Sequence, residues 1–162
     1  MARRGPRRHN GFVSEKPIVD NRRARHDYHF VERVEAGVQL LGTEVKSLRA
    51  GQANLQRAYG EIRDGEAWLV GAHIAEYGHG NLANHDPDRP RKLLLKRREI
   101  DSLQGKVREK GLTLVPTRLY FKNGKVKVEL ALGRGKEARD KRRDIAKRDA
   151  EREIARAVKS RR

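Results

Sequence analysis

The chain of 162 residues has no cysteine and no long apolar run. The absence of cysteine excludes a disulfide framework, a thiolate metal site and a thiol nucleophile, and it suits a reducing compartment. No stretch approaches the roughly 20 apolar residues that a helix needs to span a bilayer. The arginine-rich N-terminal segment precedes no apolar stretch of the kind found in secretory signals. We therefore expect a cytoplasmic protein with no membrane partner.

The sequence also lacks a recognisable catalytic motif. Six histidines and many carboxylates invite a nuclease interpretation, but the pairs His26/His29 and His79/His85 have no third ligand at a spacing typical of metal sites. Segment 133–136, Gly-Arg-Gly-Lys, lacks the first glycine and the final Ser or Thr of a Walker phosphate loop, and a charged hinge is the better interpretation. We predict that the protein is not an enzyme and uses no metal or cofactor; a small RNase is the alternative.

Basic residues, in contrast, are abundant. The chain contains 39 Lys and Arg against 22 Asp and Glu, a formal net charge of +17, and so much charge of one sign repels itself in a compact state. The basic residues are spread along the chain without an amphipathic helix bearing large apolar side chains, which favours nucleic acid over a membrane surface as the partner. The alternative is a ribosome-adjacent or thermophile-like surface whose charge has no specific role.

Aromatic residues make up only 5% of the chain. RNA recognition should therefore depend on shape and phosphate contacts more than on stacked single strands. Each tyrosine either stacks on an unpaired base or packs the core with its hydroxyl outward, and the sequence leaves both open. The tyrosines are Tyr28, Tyr59, Tyr77 and Tyr120.

Two β-hairpins give the clearest local signals. Asp64-Gly65 and Asn123-Gly124 tolerate the positive φ angles of a type I′ turn, and both lie between apolar stretches. Pro116 cannot donate a ladder hydrogen bond, so we expect an edge or a bulge there. The strands predicted around the two turns are 55–63 with 66–74 and 112–122 with 125–132.

The remaining elements are less regular. The segment 27–41 suggests two strands joined at Gly37. Thr43 is placed to cap a short helix that ends near Gly51, and an apolar stripe at helical spacing predicts a second helix that ends at Gly111. The Gly- and Pro-rich segment 77–90 predicts a long mobile loop, and a brief leucine strand follows it. Together the elements predict a mainly β fold: a small antiparallel OB-like barrel with peripheral α-helices and a flexible basic C-terminal tail.

Three regions follow from these patterns. Residues 1–17 are predicted to be a flexible basic arm, 18–133 the RNA-binding barrel, and 134–162 a basic tail. The tail has 13 Lys and Arg against 6 Asp and Glu, and its only apolar order is a weak, mostly alanine stripe. Because such a helix is marginal in water, we predict that the tail is disordered alone and helical on a partner.

Five blocks of the sequence stand out together: 21–28, 35–37, 42–51, 91–95 and 140–142. These blocks resemble the small protein B family, the SsrA-binding proteins that partner transfer-messenger RNA in bacterial trans-translation. They occur in family order and cover essentially residues 18–145. The resemblance implies an OB-like barrel that binds the tRNA-like domain of transfer-messenger RNA as a monomer, one per RNA, and delivers it to stalled ribosomes. A general ribosomal or nucleoid protein is the rival interpretation.

The resemblance also implies an RNA-binding surface on the barrel. Glu35 in this set either accepts hydrogen bonds from the RNA or forms an ion pair with Arg33 or Arg49, and Leu94 either contacts RNA or belongs to the core. Lys96 replaces an Asn found in some relatives. The predicted RNA-binding residues are Asn21, Arg23, His26, Tyr28, Glu35, Lys46, Arg49, Leu94, Lys96 and Lys127.

For the tail, the resemblance implies binding to the small ribosomal subunit and its rRNA. There it would occupy the decoding centre and the empty messenger channel. Arg139 stands where some relatives have a histidine proposed to stack on a decoding-centre base, and an Arg plane can also stack. The predicted tail residues are Gly135, Lys136, Arg139, Asp140, Lys141, Arg142, Ile154 and Val158.

Overall fold

The computed structural model describes residues 15–78 and 83–160. Most of the predicted N-terminal arm, residues 1–14, lies outside the described residues. The strands are β1 Glu15–Asp20, β2 Tyr28–Val38, β3 Ala53–Asn54, β4 Tyr59–Arg63, β5 Glu66–Val70, β6 His73–Ile74, β7 Arg91–Leu94, β8 Thr113–Lys122 and β9 Lys125–Gly135. The helices are α1 Arg22–Asp27, α2 Gly42–Arg49, α3 Arg97–Lys110 and α4 Ala138–Ser160.

Six strands form a closed antiparallel barrel. Neighbouring strands pair in the order β8, β4, β5, β7, β2 and β9, and β9 pairs with β8 to close the ring. Strand β1 pairs with the other edge of β8, so residues 15–17 belong to the sheet and not to a free arm. The predicted mainly β fold, a small antiparallel barrel with peripheral helices, is confirmed. Closure removes the exposed edges that an open sheet would present.

Both predicted hairpin turns are present. Asp64 and Gly65 have φ angles of 52° and 74°, and Asn123 and Gly124 have 51° and 75°, values that fit the type I′ turn. The β8–β9 register shifts between Pro116 and Arg118. The bulge expected at Pro116 is therefore confirmed, and it lies within a strand that pairs on both sides.

Residues 28–38 form one continuous strand, so the two strands predicted around Gly37 are wrong. Gly37 pairs with Leu94 on one side and with Lys127 on the other. A Cβ atom at Gly37 would lie 3.2 Å from Leu94 Cβ, so the glycine permits a close strand approach and not a turn. The helix predicted after it is confirmed as α2, but its expected cap is not: the Thr43 hydroxyl bonds to the ring of His85, 2.9 Å away.

The short helix α1 was not predicted. It has six residues, is rich in arginine, and buries only Ala24, so it shows no apolar periodicity. The side chain of Asn21 caps it by accepting a hydrogen bond from the Ala24 N–H at 3.3 Å. Its position before β2 places a cluster of arginines at one end of the barrel.

The barrel core consists of leucine, isoleucine, valine and alanine side chains, and a smaller cluster lies beneath α3. A buried polar network fixes the wall beside α2. Arg91 and Glu44 are both fully buried and form an ion pair at 2.9 Å, and Arg91 also donates to the carbonyl of Ala72 at 2.6 Å. His85 is buried too, so this part of the predicted mobile loop is anchored; residues 79–82 lie outside the described residues.

The C-terminal region differs from its prediction in two respects. Strand β9 continues to Gly135, so the tail begins after the predicted boundary at 134. Residues 138–160 form the helix α4, none of whose residues is buried. The structure thus contains the helical form of the tail, and the disorder expected for the tail without a partner stays a prediction.

Candidate nucleic-acid interface

Four of the predicted RNA-binding residues line one groove, which we call the Glu35 groove: Glu35, Leu94, Lys96 and Lys127. It has a volume of about 680 Å³ and lies where β2, β7 and β9 meet the start of α3. The register explains the cluster, because Gly37 pairs with both Leu94 and Lys127. Leu94 is 55% exposed, so it belongs to the surface and not to the core.

Glu35 is held at the edge of this groove by partners that the sequence did not predict. Its carboxylate accepts a hydrogen bond from the buried hydroxyl of Tyr120 and lies 3.1 Å from the Lys122 ammonium. These two contacts hold the pKa of Glu35 below its ordinary value. Of the two alternatives for Glu35, the ion pair with Arg33 or Arg49 is not formed; Arg33 instead pairs with Glu129 at 3.3 Å.

The two lysines of the Glu35 groove are available to an anionic ligand. Among the described residues, no carboxylate forms an ion pair with Lys96 or Lys127, although the structure has 15 ion pairs in all. Lys92 and Arg97 also line this groove and were missed, because nothing in their local sequence distinguishes them from other basic residues. A groove with unpaired ammonium groups and an exposed leucine suits a phosphate backbone with adjacent sugar edges.

A second groove lies between α1 and the turn at residues 55–58, and we call it the Tyr59 groove. It has a volume of about 430 Å³, and its lining includes Arg23, Tyr28, Arg57 and Tyr59. Asn21 lies at its base but is only 4% exposed. The Asn21 amide donates to the carbonyls of Leu55 and Pro116 at 3.1 and 2.9 Å. Asn21 is therefore a positioning residue in this structure and not the exposed RNA contact that we expected.

The two grooves lie at opposite ends of β2. Tyr28 begins the strand and lines the Tyr59 groove, whereas Gly37 near its end lines the Glu35 groove. Gly37 lies nine positions after Tyr28, which corresponds to about 30 Å along an extended strand. Seven of the ten predicted RNA-binding residues of the barrel therefore line one or the other of these two grooves.

The other predicted residues lie on further faces. His26 borders α4 in a small groove with Ile145 and Arg148. The Lys46 ammonium lies 5.3 Å from the centre of the Tyr77 ring, a cation–π contact. Arg49 lines a depression beside β1. None of these three lines the Glu35 groove.

The base of the tail is bound to α1 and β2. The Lys136 backbone N–H donates to the Asp27 carbonyl at 2.8 Å, and the Lys136 ammonium contacts Asp144. The Lys141 ammonium lies 3.0 Å from the Asp27 carboxylate, which lowers the pKa of Asp27. His29 lies 3.5 Å from Asp140. Lys136, Asp140 and Lys141 therefore have partners within the protein.

The remaining tail residues of the predicted set face outward. Arg139 and Arg142 are exposed, and neither forms an ion pair within the described part of the chain. Ile154 and Val158 are 65% and 56% exposed. The helix α4 thus presents exposed apolar side chains in its C-terminal half and, near its start, two arginines that have no counter-charge among the described residues.

Two other classes of site were sought in the residues that the structure describes. No group of three or more His, Asp or Glu side chains is arranged to hold a metal ion. None of the helices has the length and apolar character needed to cross a membrane.

Comparisons with known proteins all point to one family. A family model described as SmpB protein matches residues 18–160. An SsrA-binding protein of Desulforudis audaxviator (strain MP104C) is 59% identical over 145 residues, covering 90% of this chain and 95% of that protein. An SsrA-binding protein of Mycobacterium tuberculosis (strain ATCC 25177 / H37Ra) is 61% identical over 141 residues, covering 87% and 88%. A solved structure described as "tmRNA-SmpB: a journey to the center of the bacterial ribosome" aligns with a TM-score of 0.64 at 53% identity, covering 75% of this chain and 86% of that one.

Proposed function

Because this chain belongs to the SmpB family, whose curated relatives are SsrA-binding proteins, we propose that it binds transfer-messenger RNA and delivers it to the ribosome. It acts as a non-enzymatic adaptor in trans-translation, in the cytoplasm where ribosomes translate. One copy binds one RNA. The barrel holds the tRNA-like domain, and the tail enters the decoding centre and the empty messenger channel of the small subunit.

The observation that supports this proposal most strongly is the separation of two basic regions. The Glu35 groove has unpaired lysines at one end of β2, and the tail leaves from the other end, where Tyr28 pairs with Gly135. A protein that joins two RNAs needs two such surfaces that do not compete. The separation of about 30 Å along β2 meets this requirement.

The residues of the two surfaces have different proposed contacts. Lys96 and Lys127 contact phosphates of transfer-messenger RNA, and Leu94 packs against an exposed sugar or base edge. Arg139 and Arg142 bind ribosomal RNA, as do the apolar residues Ile154 and Val158 on α4. The tail needs its partner for stability, since none of the residues of α4 is buried in the protein.

A truncation that removes residues 138–162 tests this division. The cut leaves β9 and Lys136 in place, so the barrel should fold and bind transfer-messenger RNA with the affinity of the full chain. Tagging of peptides on stalled ribosomes should be lost. The measurements are a filter-binding titration and an in vitro tagging assay on the same preparations.

The control is the double variant Lys96→Ala, Lys127→Ala in the full chain. This variant keeps the tail but should bind transfer-messenger RNA more weakly than the native chain. If the truncation abolished RNA binding together with tagging, the tail and the barrel would not be separate surfaces. If the full chain showed no preference for transfer-messenger RNA over random duplex, the rival interpretation as a general basic protein would be correct.

A further inference from the structure

We propose that Tyr120, assisted by Lys122, is a positioning residue for the binding of transfer-messenger RNA. It holds the Glu35 carboxylate so that the second carboxylate oxygen accepts a hydrogen bond from the RNA. The donor is an N–H or O–H group, on a base edge or a ribose, that enters the Glu35 groove. This inference rests on the proposed function and adds to it a residue that does not itself line the groove.

Tyr120 is buried without belonging to the apolar core. It is 2% exposed, yet neither of the two apolar clusters includes it. Its neighbours Leu119 and Phe121 pack in the barrel core, and because side chains alternate along a strand, Tyr120 lies on the outer face of β8. The Arg118 guanidinium covers its ring there, 4.5 Å from the ring centre. The ring is therefore buried beneath charged side chains.

The guanidinium over this ring is itself fixed. Arg118 pairs with Glu129 at 2.7 Å and with Glu15 at 3.2 Å. Glu129 lies on β9 and Glu15 on β1, the strands that flank this part of β8, so the guanidinium is held from both sides. The ring of Tyr120 consequently has a defined position, and so does its hydroxyl.

The Tyr120 hydroxyl reaches a residue on a strand that is not its neighbour. Strand β9 lies between β8 and β2, and Lys127 on β9 pairs with Tyr120 on one side and with Gly37 on the other. The hydroxyl nevertheless donates to Glu35 Oε2 on β2, so the ring crosses the outer face of β9. Burial and the hydrogen bond to Glu35 raise the pKa of Tyr120. The hydroxyl therefore stays protonated and acts as the donor.

The Glu35 carboxylate keeps one acceptor position open. The Lys122 ammonium lies 3.1 Å from Oε2 and 3.3 Å from Oε1, and no other described residue donates to either oxygen. Oε2 thus has two donors and Oε1 has one, whereas each carboxylate oxygen offers about two acceptor positions. Because a carboxylate repels phosphates, the open position of Oε1 suits a base edge or a ribose hydroxyl.

Holding this side chain in advance favours binding. A glutamate has several rotatable bonds and loses conformational entropy when a ligand orders it. Tyr120 and Lys122 order Glu35 before the RNA arrives, which reduces that cost. Without the Tyr120 hydroxyl, the carboxylate would keep only Lys122, whose flexible side chain is 29% exposed. Loss of the hydroxyl should therefore weaken RNA binding although Tyr120 does not touch the RNA.

The test is a double-mutant cycle on the full chain. Tyr120→Phe keeps the ring and its contact with Arg118 but removes the hydroxyl. Filter binding gives the affinity for transfer-messenger RNA of the native chain, Tyr120→Phe, Glu35→Ala and the double variant. Tyr120→Phe should weaken binding by about 2- to 12-fold, the range for one lost hydrogen bond. In the Glu35→Ala chain the same change should leave the affinity unaltered, because the carboxylate that Tyr120 positions is gone.

The pH dependence of binding separates positioning from packing. The hydrogen bond from Tyr120 is the first cause of the lowered pKa of Glu35, so its removal raises that pKa. Affinity that depends on ionised Glu35 is lost as the pH falls through this pKa, so Tyr120→Phe should begin to lose affinity at a higher pH than the native chain. In the Glu35→Ala chain the shift should disappear. The titratable and charged groups that face Glu35 are Tyr120 and Lys122 on β8, Lys127 and Glu129 on β9, and Arg33 on its own strand.

Two further variants complete the design. Ile74→Val in the barrel core does not line the Glu35 groove and costs a similar amount of stability, so it should leave RNA affinity and its pH profile unchanged. Lys122→Met removes the more exposed partner of Glu35. Its effect on affinity should also vanish in the Glu35→Ala chain, so this variant tests the positioning of Glu35 even if thermal unfolding shows that Tyr120→Phe is destabilised.

Each outcome decides the proposal. Unchanged RNA affinity in both Tyr120→Phe and Lys122→Met would overturn it. An equal loss from Tyr120→Phe in the native and Glu35→Ala chains would also overturn it, because Tyr120 would then act through the fold alone. Failure of the proposed function is read differently, as the absence of transfer-messenger RNA binding by the native chain.

The two kinds of donor are distinguished with transfer-messenger RNA that carries 2′-deoxyribose at single positions. If one such position weakens binding to the native chain but not to Glu35→Ala, the donor is a ribose hydroxyl. If no position is coupled to Glu35 in this way, the donor is on a base edge.

Discussion

Lys96 and Lys127 of the Glu35 groove are expected to supply two of the phosphate contacts to transfer-messenger RNA. Neither forms an ion pair with a described residue, so removing them breaks no salt bridge there, and Lys96 is exposed while Lys127 is half-buried. Each phosphate contact releases counterions and contributes about 0.7 to 0.9 to the slope of log affinity against log salt. Replacing both lysines with alanine should therefore reduce the magnitude of that slope by about 1.4 to 1.8.

This change in slope has a direct consequence for affinity. Between 50 and 200 mM salt, a fourfold change, the native chain should lose about 7- to 12-fold more affinity than the double variant. The assay is a filter-binding titration of the full chain at four or more salt concentrations. The matched control is Lys159→Ala on α4, which also removes an exposed cation but should leave the slope for this RNA unchanged. Parallel salt lines for the native chain and the double variant would refute the assignment of phosphate contacts to these lysines.

Two further predictions concern stability. Arg91→Met removes the fully buried partner of the Glu44 carboxylate, leaves that buried charge only the partly exposed Arg89, and should lower the free energy of unfolding by about 3 to 5 kcal/mol. A denaturant titration that found less than about 1 kcal/mol, the range of a surface ion pair, would contradict the buried network. Glu35 has a lowered pKa in the folded chain, so its ionised form stabilises the fold above the ordinary pKa, and this contribution is lost as the pH falls through the folded value. The stability difference between the native chain and Glu35→Gln should therefore shrink on acidification, and a difference that stayed constant from neutral pH to pH 3 would show that the Tyr120 and Lys122 contacts do not act on this charge.

The hairpins, helix ends and family blocks were predictable because each depends on residues close together in the sequence. Asn123-Gly124 forms a turn through its own backbone preferences. Gly111 likewise ends α3 with a φ angle of 60°, a local effect that does not depend on distant residues. The helix α1 escaped prediction because five of its six residues are polar and a single buried alanine, Ala24, gives no periodic signal. Tail residues were identified by resemblance, which carries no information about their partners within the protein.

The contacts that define the sites could not be predicted, because they join residues far apart in the chain. Glu35 meets Tyr120 across 85 positions, and Asn21 meets the Pro116 carbonyl across 95. Both pairings depend on the strand register, which is fixed only when the barrel closes. The sequence thus predicted a set of RNA-binding residues but not that the barrel divides most of them between two grooves.

The base of the tail is held by contacts that would let the helix exchange partners, as the proposed function requires. Lys136, whose side chain is only 9% exposed, and the pairing of Gly135 with Tyr28 fix the point where the tail begins. Beyond that point the helix is held by partly exposed ion pairs such as Lys141–Asp27, and pairs of this kind contribute about 0 to 1 kcal/mol each. A phosphate can replace the Asp27 carboxylate as the partner of Lys141 at little net cost, so the energy that directs the tail must come from its new contacts. The exposed Ile154 and Val158, which bury nothing in the free protein, are the part of the helix with most to gain from that exchange.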